Sequence, residues 1–226
     1  MNDLSFGELD RDGALGEALE KVTGNSRADF LRKSLIGSAA LLAALSLPER
    51  AGAAPRNDID ILNYALTLEY LQAAFYTETE RVGAVRGKAK EAARLVGAVE
   101  RAHVKAFRKA LGNAAVKRPS FNFRGVTESQ TPFLKTAVAF EDLAVAAYKG
   151  QAPLIQSKAI LAVAISIHSV EARHAAWMRY LFGIVPSDRP FDLPAPKPKV
   201  LRTVASTGFI TSKAKTSGKQ KPRFTG

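Results

Sequence analysis

From residue 57 the chain alternates long amphipathic stretches with breaks rich in Gly and Pro. In the first stretch Asn57 stands where it can cap a helix whose third position is Asp60. Apolar residues then recur through Ile61, Leu62, Leu66 and Tyr70 as far as Gly83. A second helix is predicted from Lys88 to Leu111, stopped by Gly112-Asn113. The third opens at Thr131-Pro132, where the first turn tolerates proline, and ends at Lys149-Gly150. The fourth follows Pro153 and runs to Phe182, closed by Gly183 and Pro186. Short breaks force helices one and two, and helices three and four, into antiparallel hairpins. Residues 112–130 make a longer connector with one extended patch, Phe121-Asn122-Phe123, and can travel the length of the bundle. The expected fold class is therefore all-α, a four-helix bundle of two antiparallel hairpins joined by a long crossover, occupying residues 54–186.

On both sides of this span the pattern changes. Residues 34–47, SLIGSAALLAALSL, are an apolar run preceded by Arg27, Arg32 and Lys33 and followed by Ala51-Gly52-Ala53. A basic flank, a short apolar stretch and a small-residue cleavage site are the parts of a secretory signal. As a helix the run would span roughly 21 Å, short of the ~30 Å hydrocarbon core, so it reads as a signal rather than a membrane span. The segment Ser26-Arg27-Ala28-Asp29-Phe30-Leu31-Arg32-Lys33 also resembles a twin-arginine export motif, with Ala28 where the second arginine would stand. Residues 1–53 are thus expected to be a non-globular leader, and the protein to be exported to periplasm, cell wall or exterior. Residues 187–226 are Pro-rich and then Lys/Ser/Thr/Gly-rich, which predicts a wrapping or disordered extension.

Charge and cysteine content narrow the chemistry. There are 33 Lys+Arg against 21 Asp+Glu, a formal net charge of +12. The last stretch, 196–226, contributes Lys197, Lys199, Arg202, Lys213, Lys215, Lys219, Lys221 and Arg223 without any acidic residue. Such a tail suits an anionic wall polymer or lipid headgroups, or nucleic acid if the protein were cytoplasmic, although simple solubilisation is the plainer role. The absence of cysteine excludes disulfides, thiolate metal sites, iron–sulfur clusters and a thiol nucleophile. A metal must then sit on His, Glu and Asp, and the histidines are His103, His168 and His174.

Those histidines fall within an internal repeat. Helix one carries Leu68-Glu69-Tyr70-Leu71-Gln72-Ala73-Ala74-Phe75-Tyr76, and helix three carries Phe140-Glu141-Asp142-Leu143-Ala144-Val145-Ala146-Ala147-Tyr148. Each sets a Glu in an apolar face with a Tyr two turns along the same stripe. Helix two then has Glu100-Arg101-Ala102-His103 and helix four Glu171-Ala172-Arg173-His174. Glu-x-x-His puts carboxylate and imidazole on one helix face, about 4.5 Å apart along the axis, so the carboxylate can bridge two cations while the imidazole binds one. Glu69 and Glu100 are equally far from the turn near residue 85 and should lie level across the hairpin. Four carboxylates balance two divalent cations, whereas without metal they should repel, titrate upward and loosen the core. Glu supplies 12 of 226 residues, so Glu-x-x-His at two of three histidines is rare by chance.

Glu on two helices with Glu-x-x-His on the other two resembles the ligand set of the di-iron and di-manganese ferritin-like superfamily. The resemblance covers roughly 57–183 and is similar above all to exported bacterial ferritin-like domain proteins described as desiccation- or stress-related. It implies a ferritin-like bundle with two Fe or two Mn ions on Glu69, Glu100, His103, Glu141, Glu171 and His174. Glu100 and Glu171 would bridge; Glu69, Glu141 and both imidazoles would be terminal. Tyr76 and Tyr148 are candidates for hydrogen bonding or radical chemistry near the site, with core packing as the default. His168, one turn before Glu171, is a candidate neighbour of the site or an ordinary core or surface histidine. Trp177 reads as packing, and Arg101, Arg173 and Asp142 should face away from the metals.

Three functions fit these residues. The first is redox chemistry on Fe(II), oxygen or peroxide in stress protection, of ferroxidase, peroxidase or catalase type. The second is a non-catalytic, metal-stabilised structural or binding protein of the envelope. The third is iron storage in a homo-oligomeric cage, which the leader, the long tail and the lack of a fifth helix in the pattern disfavour. A cytoplasmic location would favour a DNA-binding mini-ferritin instead.

Overall fold

The computed structural model describes residues 55–211. The predicted leader, and the basic tail beyond residue 211, lie outside the described residues. The bundle consists of α1 (Arg56–Val82), α2 (Gly87–Leu111), α3 (Gln130–Gln151) and α4 (Lys158–Phe182). A shorter helix, α5 (Lys197–Thr207), follows, and β1 (Ser120–Phe121) pairs antiparallel with β2 (Ile210–Thr211). The architecture is the all-α bundle of two hairpins, with α1 packed on α2, α3 on α4, and the pairs joined through α1–α3 and α2–α4 contacts.

Local sequence explains the helix faces. The buried positions of α2 include Ala89, Ala92, Ala93, Val96, Glu100, His103, Phe107 and Leu111, one stripe at spacings of three and four. In α4 the stripe runs Ile160, Val163, Ala164, Ile167, Glu171, His174, Ala175 and Met178. Each Glu-x-x-His is therefore carried into the core by the same periodicity that buries the apolar residues. The helix ends follow ordinary chemistry: Gly83 and Gly183 take the left-handed conformation that stops α1 and α4.

Several boundaries differ from the sequence reading. Asn57 does not cap α1, because the cap position is Pro55 and Asn57 already lies inside the helix. Its Nδ2 instead donates to the Leu154 carbonyl, 2.8 Å away across the end of the bundle. Beside it, buried Asp58 accepts the backbone N–H groups of Gln156 and Ser157 at 2.9 and 2.8 Å, so α1 helps to order the entry of α4. That helix begins at Lys158 under a Ser157 cap, while Pro153 sits in a preceding 3-10 turn, Ala152–Leu154. Gly150 does not end α3 either. It lies within the helix, where a Cβ would stand 2.1 Å from the Ala195 carbonyl oxygen, so the returning chain crosses α3 at contact distance. The Ala195 N–H donates to the Ala146 carbonyl there at 2.9 Å.

The described part of the C-terminal extension wraps the bundle and is ordered into α5 and β2. Val200 and Val204 of α5, one turn apart, are buried and belong to the main core. Lys197 lies over the Tyr64 ring, 5.3 Å from its centroid. Of the extended patch in the crossover only Phe121 lies in β1, with the Asn122 N–H donating to the Phe209 carbonyl just beyond it, and Phe209 then closes an aromatic cluster. Phe75 packs on Tyr76, Phe123, Phe133 and Phe140, and Phe209 on Phe123 and Phe140, at centroid distances of 5.1–6.0 Å. This cluster holds crossover, α1, α3 and C-terminal segment together beside the charged centre of the bundle.

Candidate metal centre

The turn between α1 and α2 lies midway between Glu69 and Glu100, which brings the two residues level in neighbouring helices. The second hairpin does the same for Glu141 and Glu171. Their carboxylates meet with His103 and His174 in two overlapping quartets: Glu69, Glu100, His103, Glu171 and Glu100, Glu141, Glu171, His174. Within each quartet the donor atoms lie within 4.8 Å of one another. Glu100 and Glu171 belong to both. His103 Nδ1 is 3.2 Å from Glu69 Oε2, 3.6 Å from Glu100 Oε2 and 3.2 Å from Glu171 Oε1. His174 Nδ1 is 2.9 Å from Glu100 Oε1, 3.6 Å from Glu141 Oε2 and 3.9 Å from Glu171 Oε2. The pattern repeats when α1 and α2 are exchanged for α3 and α4.

Burial makes this cluster electrostatically demanding. All four glutamates are 0% exposed, and the histidines 7% and 6%. Buried polar atoms are normally hydrogen-bonded. Here Glu100 Oε1 and Oε2, Glu141 Oε2, Glu171 Oε1 and His174 Nδ1 have no aligned partner. The 2.9 Å approach of His174 to Glu100 is therefore ion pairing at poor hydrogen-bond angle. Burial pushes Glu69 up to about 7, partly offset by His103. Burial and the neighbouring Glu100 charge hold Glu171 well above the carboxylate range. Glu100 goes the other way: burial opposes its charge, but His103 and His174 on either side outweigh it and lower its pKa. Burial alone would lower both histidines, yet the surrounding carboxylates raise His103 and bring His174 to about 10.

Two contacts beyond the six residues shape the centre. The Tyr76 hydroxyl, on α1, donates to Glu141 Oε1 on α3 at 2.5 Å. The Tyr148 hydroxyl, on α3, donates to Glu69 Oε1 on α1. This exchange fixes the antiparallel register of α1 and α3 and orients both outer carboxylates. Each tyrosine thus hydrogen-bonds a carboxylate as well as packing in the core, and burial followed by the adjacent carboxylate raises both phenol pKa values. Gln72, absent from the Glu/His repeat, directs Nε2 towards Glu171 Oε2 at 3.5 Å. Its position three residues after Glu69 is the available signal, since it shares the stripe that Glu100 and His103 share in α2. The repeat has Ala144 at the equivalent place, so the two halves are not chemically identical.

The remaining candidates stay outside. His168 is half-buried, its pKa lowered first by desolvation, with Asp192 and Lys149 as its charged neighbours. Trp177 packs against the core, and Arg173 is exposed. Arg101 pairs with Glu80 at 2.8 Å, and Asp142 with Arg179 at 2.9 Å, both away from the quartets.

The donor set suits divalent cations. Carboxylate oxygens and an imidazole nitrogen converge in each quartet, several of them without an aligned hydrogen-bond partner, and such oxygen and nitrogen donors suit hard and borderline divalent cations better than thiophilic metals. Fold and cluster define an all-α carboxylate bundle with a buried Glu/His core. The chain belongs to the ferritin-like domain family, whose model matches residues 57–183. No curated protein matches the chain.

Proposed function

We propose that this is an exported ferritin-like protein that holds two iron or two manganese ions and performs redox chemistry on Fe(II), oxygen or peroxide in stress protection. The observation that carries the reading is the pair of quartets sharing Glu100 and Glu171, which suits two neighbouring cations with common bridges. Bound there, such ions supply Lewis acidity and one-electron redox capacity. His103 and His174 would each serve one quartet, with Glu69 and Glu141 as outer carboxylates. Tyr76 and Tyr148 hold those outer carboxylates in place by donating their phenolic protons. Phe75 packs on the Tyr76 ring, and the four glutamates are closed off from solvent. Export rests on the basic flank, apolar run and small-residue site of the leader.

Burial of the six residues, complete for the four glutamates and nearly so for the histidines, supports a second reading, in which the ions stabilise a non-catalytic envelope protein. Metal analysis of protein from its native host, with oxygen evolution from hydrogen peroxide and Fe(II) oxidation measured on the same sample, separates the two. Iron or manganese near two per chain with either activity supports the redox function. Loaded protein lacking both activities favours the structural one. Mass spectrometry of the native protein should find a start near Ala54; an intact leader found only in the cytoplasm would defeat export.

A further inference from the structure

The outer face of α2 and the start of the crossover enclose a groove whose charge the metal centre does not use. Arg101, Lys105, Arg108, Lys109, Lys117 and Arg118 line it, with no carboxylate among the lining residues. Arg101 is neutralised by Glu80, but the other five have no ion-pair partner among the described residues. Arg108 and Lys109 in the last turn of α2 complement the free carbonyls of that helix end. This accounts for one turn and leaves Lys105, Lys117 and Arg118 unexplained.

The walls are held in place. Lys105, Arg108 and Lys109 recur within one turn, so the unpaired cations of α2 span about 6 Å along its axis. The opposite wall is pinned by Asn63, which donates to the Ala114 carbonyl at 2.9 Å and accepts the Val116 N–H at 2.8 Å. Arg118 is fixed over the Phe121 ring, 5.1 Å from its centroid. Like charges held together without counter-charge cost self-repulsion that a bound anion relieves. The lining limits which anion fits. Tyr70 is buried, and Arg118 covers Phe121, so the groove has no open aromatic face on which a base could stack.

We propose that this groove binds a linear chain of phosphoryl groups, a short polyphosphate, along α2. Several adjacent phosphates would meet Lys105, Arg108, Lys109, Lys117 and Arg118 at once, with Arg forks and Lys ammonium groups giving charge-assisted contacts.

The test is calorimetric titration of the full chain with sodium tripolyphosphate at several salt concentrations. Three proteins are compared: wild type, the groove variant Lys105→Gln/Arg108→Gln/Lys117→Gln, and a tail variant with Lys213, Lys215, Lys219, Lys221 and Arg223 changed to Gln. All the substituted groove residues are exposed, so metal content should match wild type and melting should fall only slightly, through the loss of Arg108 at the α2 end; both are measured alongside. Wild type should bind with affinity that falls steeply with salt, the groove variant about tenfold or more weaker, and the tail variant close to wild type. Undiminished binding by the groove variant, or loss confined to the tail variant, would overturn the assignment. So would a wild type that ignores tripolyphosphate but binds duplex DNA through the same groove residues.

Discussion

Glu100 and Glu171 stand where the two quartets overlap, and this position distinguishes them from the other four residues. Replacing Glu100 with Ala removes an oxygen donor from both quartets. His103→Ala removes one imidazole from one quartet, and water can take that place. Metal content per chain should therefore fall further in Glu100→Ala than in His103→Ala; the reverse order would refute the bridging assignment. The tyrosines make a separate residue-scale prediction. Tyr76→Phe keeps the packed ring but leaves Glu141 Oε1 buried without its donor. Hydrogen bonds to charged groups contribute about 1.5–3 kcal/mol, so metal-free Tyr76→Phe should lose stability of that order in denaturant unfolding. Tyr180→Phe, at a position 61% exposed, is the matched control and should change little.

At the scale of elements, the returning C-terminal segment acts as a strap across α3. Gly150 makes this possible because the helix backbone meets the Ala195 carbonyl with no room for a Cβ. Gly150→Ala would normally favour a helix by up to about 1 kcal/mol. Here the added methyl would push the strap away and disturb the adjoining Ala195–Ala146 hydrogen bond and the docking of α5. Overpacking of this kind typically costs about 1–3 kcal/mol. The variant should thus be less stable than wild type, and limited proteolysis should cut earlier within residues 187–211. A net gain of stability with unchanged proteolysis would mean that the strap contributes nothing at this contact.

For the whole molecule the decisive quantity is charge in the bundle core. Without metal, positive charge must come from protonated His103 and His174. Glu69, moved from 4.5 to about 7, binds a proton that the unfolded chain releases, so stability falls as pH rises between those values. His174, moved from 6.5 to about 10, contributes fully below 6.5 and loses that contribution as pH climbs towards 10. Lowered Glu100 works oppositely, its contribution disappearing as pH falls below 4.5. Metal-free protein should accordingly melt highest in the mildly acidic range and progressively lower towards alkaline pH. Metal ions replace the protons, so loading near pH 7 should release protons, detectable by calorimetry in buffers of different ionisation enthalpy. The gap in melting temperature between loaded and chelated protein should be widest at alkaline pH and shrink towards pH 5. Equal melting with and without chelator, in protein shown to be metal-loaded, would make the centre irrelevant to stability.

The helices, their pairing into hairpins and the stripe positions of Glu69, Glu100, His103, Glu141, Glu171 and His174 were legible in the chain, because helical periodicity and short turns are local properties. The repeat on the two hairpins also signalled that these side chains share one level of the core. Other features depended on which distant surfaces meet. Nothing local told that Tyr76 serves Glu141 and Tyr148 serves Glu69, since that exchange follows from the register of α1 against α3. Gly150 had the sequence appearance of a helix stop, and only the crossing strand of chain at Ala195 made it a packing site. Asn57 looked like a cap, yet the neighbouring hairpin drew it to Leu154. In α5, Val200 and Val204 are too sparse a stripe to announce a helix among prolines and lysines; burial against the bundle makes it stable. Sequence by itself determined the helical faces and the chemistry they carry. Tertiary structure decided the hydrogen-bond partners and the fate of the C-terminal segment, because both arise from contacts between residues far apart in the chain.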